Sequence, residues 1–76
     1  MKERKYEIFQ IISKNIKKYR NIRGYTQEEL AKRSNISFEY LRRIEAPNIN
    51  TTYSLDIIVA IADGLGIDLF LLFIDD

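Results

Sequence analysis

Residues 26–46 read TQEELAKRSNISFEYLRRIEA, and this stretch predicts two short helices joined by a tight turn. Thr26 and Glu29 match a capping box, in which each side chain satisfies a backbone N–H at the start of a helix. The first helix should end just before Asn35, one of the few residues other than glycine that tolerate a left-handed backbone. Ser37 is then a suitable cap for the second helix.

The second helix has few residues that could anchor it to a core. Leu41 and Ile44, three residues apart, are its obvious core positions, with Ile36 just ahead of it. Two helices with so short a joint cross steeply, and Ala31 is small enough to lie at the crossing. The remaining long side chains of the second helix should therefore point partly or wholly outward: Phe38, Glu39, Arg42 and Arg43. For Tyr40, core packing and exposure both stay open.

The rest of the chain is also helical in pattern, with a single proline and no alternating strand-like run. Ahead of these two helices we predict another, from about Tyr6 to Arg23, so that the pair within 26–46 forms the second and third helices of the chain. A fourth helix should start after Ser54 and end at Gly66. A short last helix should cover 69–74. Apolar residues at helical spacing define the expected inner stripes: Ile8, Ile12, Ile16 and Tyr19 in the first helix, and Leu55, Ile58, Ala62 and Leu65 in the fourth. We predict an all-α, compact five-helix fold in which residues 1–76 form a single domain.

Charge is divided sharply along the chain. All twelve Lys and Arg residues lie between Lys2 and Arg43, where six acidic residues leave a net charge of +6. Residues 46–76 carry five Asp and no basic residue, a net charge of −5. This split favours a basic surface for a polyanion and a different role for the acidic remainder.

Composition argues against catalysis and against a membrane protein. His and Cys are absent, which removes the usual general base and the usual metal ligands. The three glycines fit no phosphate-binding loop. We therefore expect a protein that is not an enzyme and that needs no cofactor and no metal. The charged N-terminus does not match a signal peptide, and the longest apolar run, 69–74, is too short for a bilayer, so we expect a cytoplasmic protein.

Together, TQEELAKRSNIS, LRRIE and SLDIIVAIADGLGID resemble the phage repressor and Cro type of helix-turn-helix domain, the XRE family of transcription regulators. The similarity covers roughly residues 9–73. It implies a lambda-repressor-like fold that binds double-stranded DNA. The chain departs from the family pattern in having Asn35 where Gly is commonest. A second departure is Ala46-Pro47, where a basic residue and Gly usually follow.

The resemblance implies roles for individual residues. Arg20 and Glu45 match a structural ion pair, and Gln27 matches a residue that contacts a DNA phosphate. Four residues match the base-reading positions: Phe38, Glu39, Tyr40 and Arg43. The resemblance also implies that polar residues of the loop after the third helix contact phosphates. The candidates are Asn48, Asn50, Thr51 and Thr52.

The residue types of the second helix of the motif suit base recognition. Arg43 could donate two hydrogen bonds to guanine, Glu39 could accept one from cytosine N4, and Phe38 could pack on a thymine methyl group. Glu39 could instead pair with a neighbouring arginine, and Phe38 could belong to the core. Further basic residues should contact phosphates: Lys17, Lys18, Arg23, Lys32, Arg33 and Arg42.

The C-terminal half holds more apolar residues than one small core needs. We therefore predict that the helices within 54–74 also form the interface of a homodimer. The residues assigned to that interface are Ile57, Ile61, Leu69, Phe70, Phe73 and Ile74. A core-filling last helix with some exposed apolar residues is the alternative.

Two functions follow from these expectations. The first is a sequence-specific transcription regulator, a repressor by preference, that binds a palindromic operator as a homodimer. The alternative is an antitoxin or protein-interaction module whose apolar C-terminal half binds a different protein.

Overall fold

The computed structural model describes residues 4–47 and 51–75, and all of the regular structure in these ranges is helical. Four α-helices follow in order: α1 (Arg4–Arg23), α2 (Gln27–Ser34), α3 (Phe38–Glu45) and α4 (Leu55–Leu65). A 3-10 helix, Leu69–Phe73, comes last. The predicted all-α class is confirmed. The first helix begins two residues earlier than predicted, and the last helix is a 3-10 helix that ends one residue earlier.

One hydrophobic core joins all five helices. Helix α2 packs chiefly on α4, while the 3-10 helix lies against α1 and α4. The buried apolar residues come from every element and from the segment before α4: Ile12, Ile16, Leu30, Ala31, Leu41, Ile44, Tyr53, Ile58, Ile61, Ala62, Leu65 and Leu72. Because α1 and the C-terminal segment contact each other directly, the basic and acidic halves of the sequence form one folded unit.

Two residues predicted for the core lie on the surface. Ile8 and Leu55 are exposed, and each lies in the first turn or two of its helix. The periodicity places them correctly around the helix axis, but the neighbouring elements do not extend far enough to cover them. Helical spacing predicts the side of a helix that faces inward and does not predict the length over which it is covered.

Tyr53 fastens the start of the acidic half to α1. Its ring meets that of Phe9 edge-on, with 4.7 Å between centroids. The Tyr53 hydroxyl lies 2.7 Å from Ser13 Oγ and 3.3 Å from the Phe9 carbonyl oxygen. Burial raises the pKa of Tyr53 to about 12, because the phenolate would be poorly solvated there. Tyr53 is thus a packed and hydrogen-bonded core residue in the segment that precedes α4.

Helix α4 passes close to the end of α2 at Gly64. A Cβ atom at Gly64 would lie 2.5 Å from Ser34 Oγ and 3.2 Å from Ser34 N. Ser34 is itself buried, and its hydroxyl has no hydrogen-bond partner among the described residues. The glycine that weakens α4 intrinsically is therefore required by the close approach of α2.

Candidate nucleic-acid interface

Helix α2 begins as its sequence predicts. The Thr26 hydroxyl accepts from the Glu29 N–H at 3.0 Å, and the Glu29 carboxylate accepts from the Thr26 N–H at 2.8 Å. These two bonds satisfy backbone donors that would otherwise lack partners in the first turn of the helix. The start of α2 and the position of Gln27 are fixed as a result.

The turn between α2 and α3 depends on one left-handed residue. Asn35 has φ 58° and ψ 40°, and its N–H donates to the Lys32 carbonyl. The next N–H, of Ile36, donates to the Ala31 carbonyl at 3.0 Å. Ser37 then caps α3 by accepting from the Tyr40 N–H at 3.0 Å. Every step of this tight joint therefore has a hydrogen bond that holds the direction of α3.

Helix α3 is anchored along one side. Leu41 and Ile44 are buried in the core. At the end of the helix, Arg20 Nε donates to Glu45 Oε2 at 2.8 Å and Arg20 Nη2 donates to Glu45 Oε1 at 2.9 Å. Arg20 Nη1 also donates to the Tyr25 carbonyl at 2.9 Å. The two side chains are only 12% and 2% exposed, so this ion pair fixes α3 to α1 in a largely dry setting.

The opposite side of α3 faces an open groove of about 640 Å³, which we call the α3 groove. Its lining is mostly polar and charged: Lys17, Gln27, Ser37, Glu39, Tyr40, Arg42, Arg43, Glu45, Ala46 and Pro47. Six of the predicted DNA-contacting residues are thus brought together, from three helices. The groove is open to solvent.

Three of the predicted base-reading residues are exposed, and the fourth is half-buried. Phe38 is 38% exposed, which leaves part of its ring available for contact. Tyr40 is half-buried and packs on the core while also lining the α3 groove. Arg43 is exposed and makes no ion pair or hydrogen bond within the described residues. Among the described residues, nothing competes with an outside acceptor for its guanidinium group.

Glu39 and Arg42 pair with each other on the surface of α3. Arg42 Nη2 donates to Glu39 Oε1 at 2.9 Å, and both side chains are well exposed. Such an exposed pair is weak and can exchange for other partners. The pair neutralises a carboxylate that would otherwise repel DNA phosphates close to Arg43.

Gln27 makes a contact within the chain that the sequence did not predict. Its Nε2 donates to Glu45 Oε1 at 3.0 Å, which links the start of α2 to the Arg20–Glu45 pair. A carboxamide nitrogen carries two hydrogens, so one remains available to a phosphate. Gln27 therefore lies in the α3 groove with its orientation already set.

Arg23 and Arg33 have structural partners at the end of α4. Arg23 Nε donates to the Leu65 carbonyl at 2.8 Å, and its Nη2 donates to the Gly66 carbonyl. Arg33 Nε donates to the Gly64 carbonyl at 2.8 Å, and its guanidinium lies over the Tyr25 ring. Helix α4 has no basic residue in its last turn, so these two arginines supply the positive charge that a helix C-terminus favours. From the sequence we predicted that both arginines contact DNA phosphates, and no pattern in it indicated that they bind the end of α4.

The remaining predicted phosphate contacts are more scattered. Lys18 and Lys32 are exposed but do not line the α3 groove, and the Lys18 ammonium lies over the Tyr19 ring. Thr51 is half-buried in the segment before α4. The predictions for Asn48 and Asn50 lie outside the described residues.

The predicted dimer interface needs one correction. Ile61 is 0% exposed and belongs to the core of the single chain, because the surface of α4 that carries it is covered by neighbouring helices. Ile57 and Leu69 are partly buried against that core. Phe70, Phe73 and Ile74 are exposed, as are two further apolar residues of α4, Leu55 and Val59.

Asn15 is a residue that sequence analysis missed. It is 1% exposed and lies between Ile12 and Ile16 on the buried face of α1. Its Nδ2 donates to the carbonyls of Leu72 at 2.9 Å and Ile74 at 2.8 Å. A polar residue at a core position of a helical stripe was the available signal, since such residues are buried only with partners.

Neither a metal centre nor a membrane span emerges from the described residues. The part of the chain that the structure describes contains no group of three or more acidic side chains placed to hold a metal ion. No helix within 4–47 and 51–75 combines the length and the apolar character that crossing a bilayer requires.

Comparisons with known proteins agree with this geometry. The helix-turn-helix family model matches residues 16–72, which include α2, the turn, α3, α4 and most of the 3-10 helix. The chain belongs to the helix-turn-helix family. It is of the XRE type, a type of DNA-binding transcription regulator. The family recognised from the sequence is therefore confirmed.

Two relatives illustrate the likeness. Control protein C.SmaI from Serratia marcescens is 38% identical to this helix-turn-helix chain over 54 residues, which make up 71% of this chain and 64% of the control protein. The match thus spans less than two thirds of that relative. The crystal structure of a hypothetical transcription factor, NHTF, from Neisseria superposes with a TM-score of 0.79 at 24% identity. The superposition covers 88% of this chain and 75% of NHTF, and it supports the helical fold described above.

Proposed function

We propose that this chain binds duplex DNA sequence-specifically and regulates transcription, as a repressor, by occupying a promoter in the cytoplasm. The observation that carries the proposal is the two-sided character of α3. One side is fixed by Leu41, Ile44 and the Glu45 ion pair, while the other presents unburied side chains to the α3 groove. An α-helix presented in this way fits the major groove of B-DNA.

Direct reading of base edges falls first to Arg43. A guanidinium matches guanine O6 and N7 with two parallel hydrogen bonds, and Arg43 is exposed without a competing partner in the described chain. Glu39 has such a partner in Arg42, so reading cytosine would require that pair to open. We therefore assign Glu39 and Arg42 to the rim of the contact and Phe38 to apolar contact with a thymine methyl group.

Phosphate contacts fall to residues that line the α3 groove beside the base-reading side chains. Lys17 lies on α1 and is exposed, and Gln27 retains one hydrogen on its amide nitrogen. These contacts position the protein on the duplex without reading its sequence. They should also make the affinity fall as salt concentration rises, because each neutralised phosphate releases counterions.

The quaternary state we propose is a twofold homodimer formed through the C-terminal half. Phe70 is 59% exposed, and Phe73 and Leu55 are also exposed, so α4 and the 3-10 helix both present large apolar side chains to solvent. Two copies of α3 would then enter successive major grooves about 34 Å apart. The operator should accordingly be a palindrome, with occupancy set by protein concentration.

Selection of bound sequences from a random duplex pool tests the proposed function. A symmetric consensus with two half-sites about one helical turn apart is the expected result. Enrichment of a single asymmetric site would argue for a monomer, and recovery of an unenriched pool would contradict sequence-specific binding.

The same exposed apolar residues favour a second candidate function. They could bind a different protein, as an antitoxin does, instead of a second copy. Sedimentation of the purified chain separates the two: self-association to twice the 9.0 kDa mass is expected for the homodimer. Replacing Phe70 and Phe73 with Ser should return the chain to a monomer, whereas Ile22→Ser, at an exposed apolar position on α1, should not. A wild-type monomer at micromolar concentration would favour the protein-interaction module.

A further inference from the structure

A second depression continues the α3 groove along α1. It has a volume of about 290 Å³ and is lined by Gln10, Ser13, Lys14, Lys17, Glu45, Ala46 and Pro47. Four of these residues also line the α3 groove, so the two surfaces are continuous. Lys14 and Lys17 are three residues apart and therefore share one side of the helix. The basic surface beside α3 thus extends one turn further along α1, to Lys14.

Lys14 already has an anionic partner from the far end of the chain. Its Nζ lies 3.6 Å from Asp75 Oδ1, and both side chains are 62% exposed. An ion pair in such an exposed setting contributes little to stability and exchanges readily for another anion. A DNA phosphate is an anion as well, and it would compete with the Asp75 carboxylate for the Lys14 ammonium group.

Asp75 is held beside Lys14 by the residue next to Lys14 in the sequence. Asn15 donates to the carbonyls of Leu72 and Ile74, the residue that precedes Asp75. Because Asn15 is buried, this attachment is far more firmly fixed than the ion pair itself. The carboxylate is therefore kept close to Lys14 at a high local concentration, even when the pair is open.

We propose that Lys14 is a further phosphate-binding residue and that Asp75 is an intramolecular competitor for its ammonium group. The ligand is a backbone phosphate of duplex DNA, so the inference rests on the proposed function. While Asp75 pairs with Lys14, that lysine attracts little counterion density and adds little to DNA affinity. Removing the carboxylate turns Lys14 into a full phosphate contact.

The test compares salt dependence of duplex binding for the wild type, Asp75→Asn, Lys14→Gln and the double variant. Between about 50 and 200 mM salt, Asp75→Asn should steepen the slope of log K against log salt by about 0.9, the effect of one more neutralised phosphate. Its affinity at the lower concentration should rise by roughly 2- to 5-fold. Lys14→Gln alone should change little, and adding it to Asp75→Asn should abolish the gain.

Asp63→Asn is the matched control, because it removes one negative charge from an exposed position on α4. An equal gain from Asp63→Asn, or a gain that survives Lys14→Gln, would mean that net charge alone is responsible and would overturn the proposal. An unchanged slope for Asp75→Asn would overturn it as well. A wild type that binds no duplex at about 50 mM salt would instead remove the proposed function, and this inference with it.

Discussion

The N-terminal and C-terminal halves of the chain differ in the side chains that they expose. Helices α1 to α3 present Lys and Arg around an open groove, whereas α4 and the 3-10 helix present Leu55, Val59, Phe70 and Phe73. The basic residues of the first half do not all serve DNA binding, however, because two of its arginines donate hydrogen bonds to carbonyls at the end of α4. Part of the positive charge that sequence assigns to DNA is thus used to join the halves.

The two ion pairs of α3 provide the largest contrast within the basic half. Glu45→Ala should lower the free energy of unfolding by about 3–5 kcal/mol, because it leaves the largely buried Arg20 guanidinium without its carboxylate. Glu39→Ala, which removes an equal charge from the exposed pair with Arg42, should cost less than about 1 kcal/mol. Urea denaturation of both variants measures the difference, and similar losses would contradict the contrast drawn here.

Asn15 tests the attachment of the acidic half to α1. Asn15→Ala should cost about 1–3 kcal/mol, because two carbonyls of the C-terminal segment lose their donor in a buried place. Hydrogen exchange in 69–75 should accelerate more than in α2 and α3. Gln10→Ala, on the exposed side of α1, is the control and should leave both quantities unchanged. Uniform acceleration throughout the chain would mean that the segment is not a separately attached unit.

Arg33 and Lys32 sharpen the distinction between structural and DNA-facing charge. Arg33→Ala should lower the free energy of unfolding by about 1–2 kcal/mol, because the Gly64 carbonyl loses a charged donor. Lys32→Ala, the adjacent exposed cation, should stay within about 0.5 kcal/mol of the wild type. Thermal unfolding followed by circular dichroism distinguishes them, and the reverse order of effects would contradict the structural role of Arg33 at the end of α4.

The close approach of the halves at Gly64 should give the smallest effect. Gly64→Ala gains about 1 kcal/mol in helix propensity but forces a Cβ against Ser34, at a cost of about 1–3 kcal/mol. We expect a net loss of about 1 kcal/mol, recovered in part when Ser34→Ala is added. If chemical denaturation shows that Gly64→Ala alone is more stable than the wild type, α2 must move aside at little cost to make room for the Cβ atom.

Sequence was sufficient where local chemistry dictates structure. The capping box at Thr26, the left-handed Asn35 and the Ser37 cap are all properties of neighbouring residues, and each is present in the structure. The Arg20–Glu45 contact followed from resemblance to a family and not from spacing, since 25 residues separate its partners. The joint that aims α3 could therefore be predicted in detail.

Long-range contacts account for what the sequence did not reveal. Asn15 binds carbonyls more than 50 residues away, and Arg33 binds one 31 residues away. Neither pairing leaves a periodic signal. Ile61 was assigned to an interface because its helix carries apolar residues on several sides, and only the packing of the neighbouring helices shows which side is covered. Surface roles are thus harder to predict than helices.

The central claim is that the exposed side of α3 reads base pairs, and Arg43→Lys tests it most directly. This change keeps the charge but removes the planar pair of donors that matches guanine. The measurement is the ratio of dissociation constants for the selected operator and for a scrambled duplex of equal length. We predict that the operator affinity falls by roughly 5- to 150-fold while scrambled binding stays unchanged, whereas Lys17→Ala weakens both alike. An Arg43→Lys variant that keeps the wild-type ratio, with Arg43→Ala behaving like Lys17→Ala, would contradict the claim.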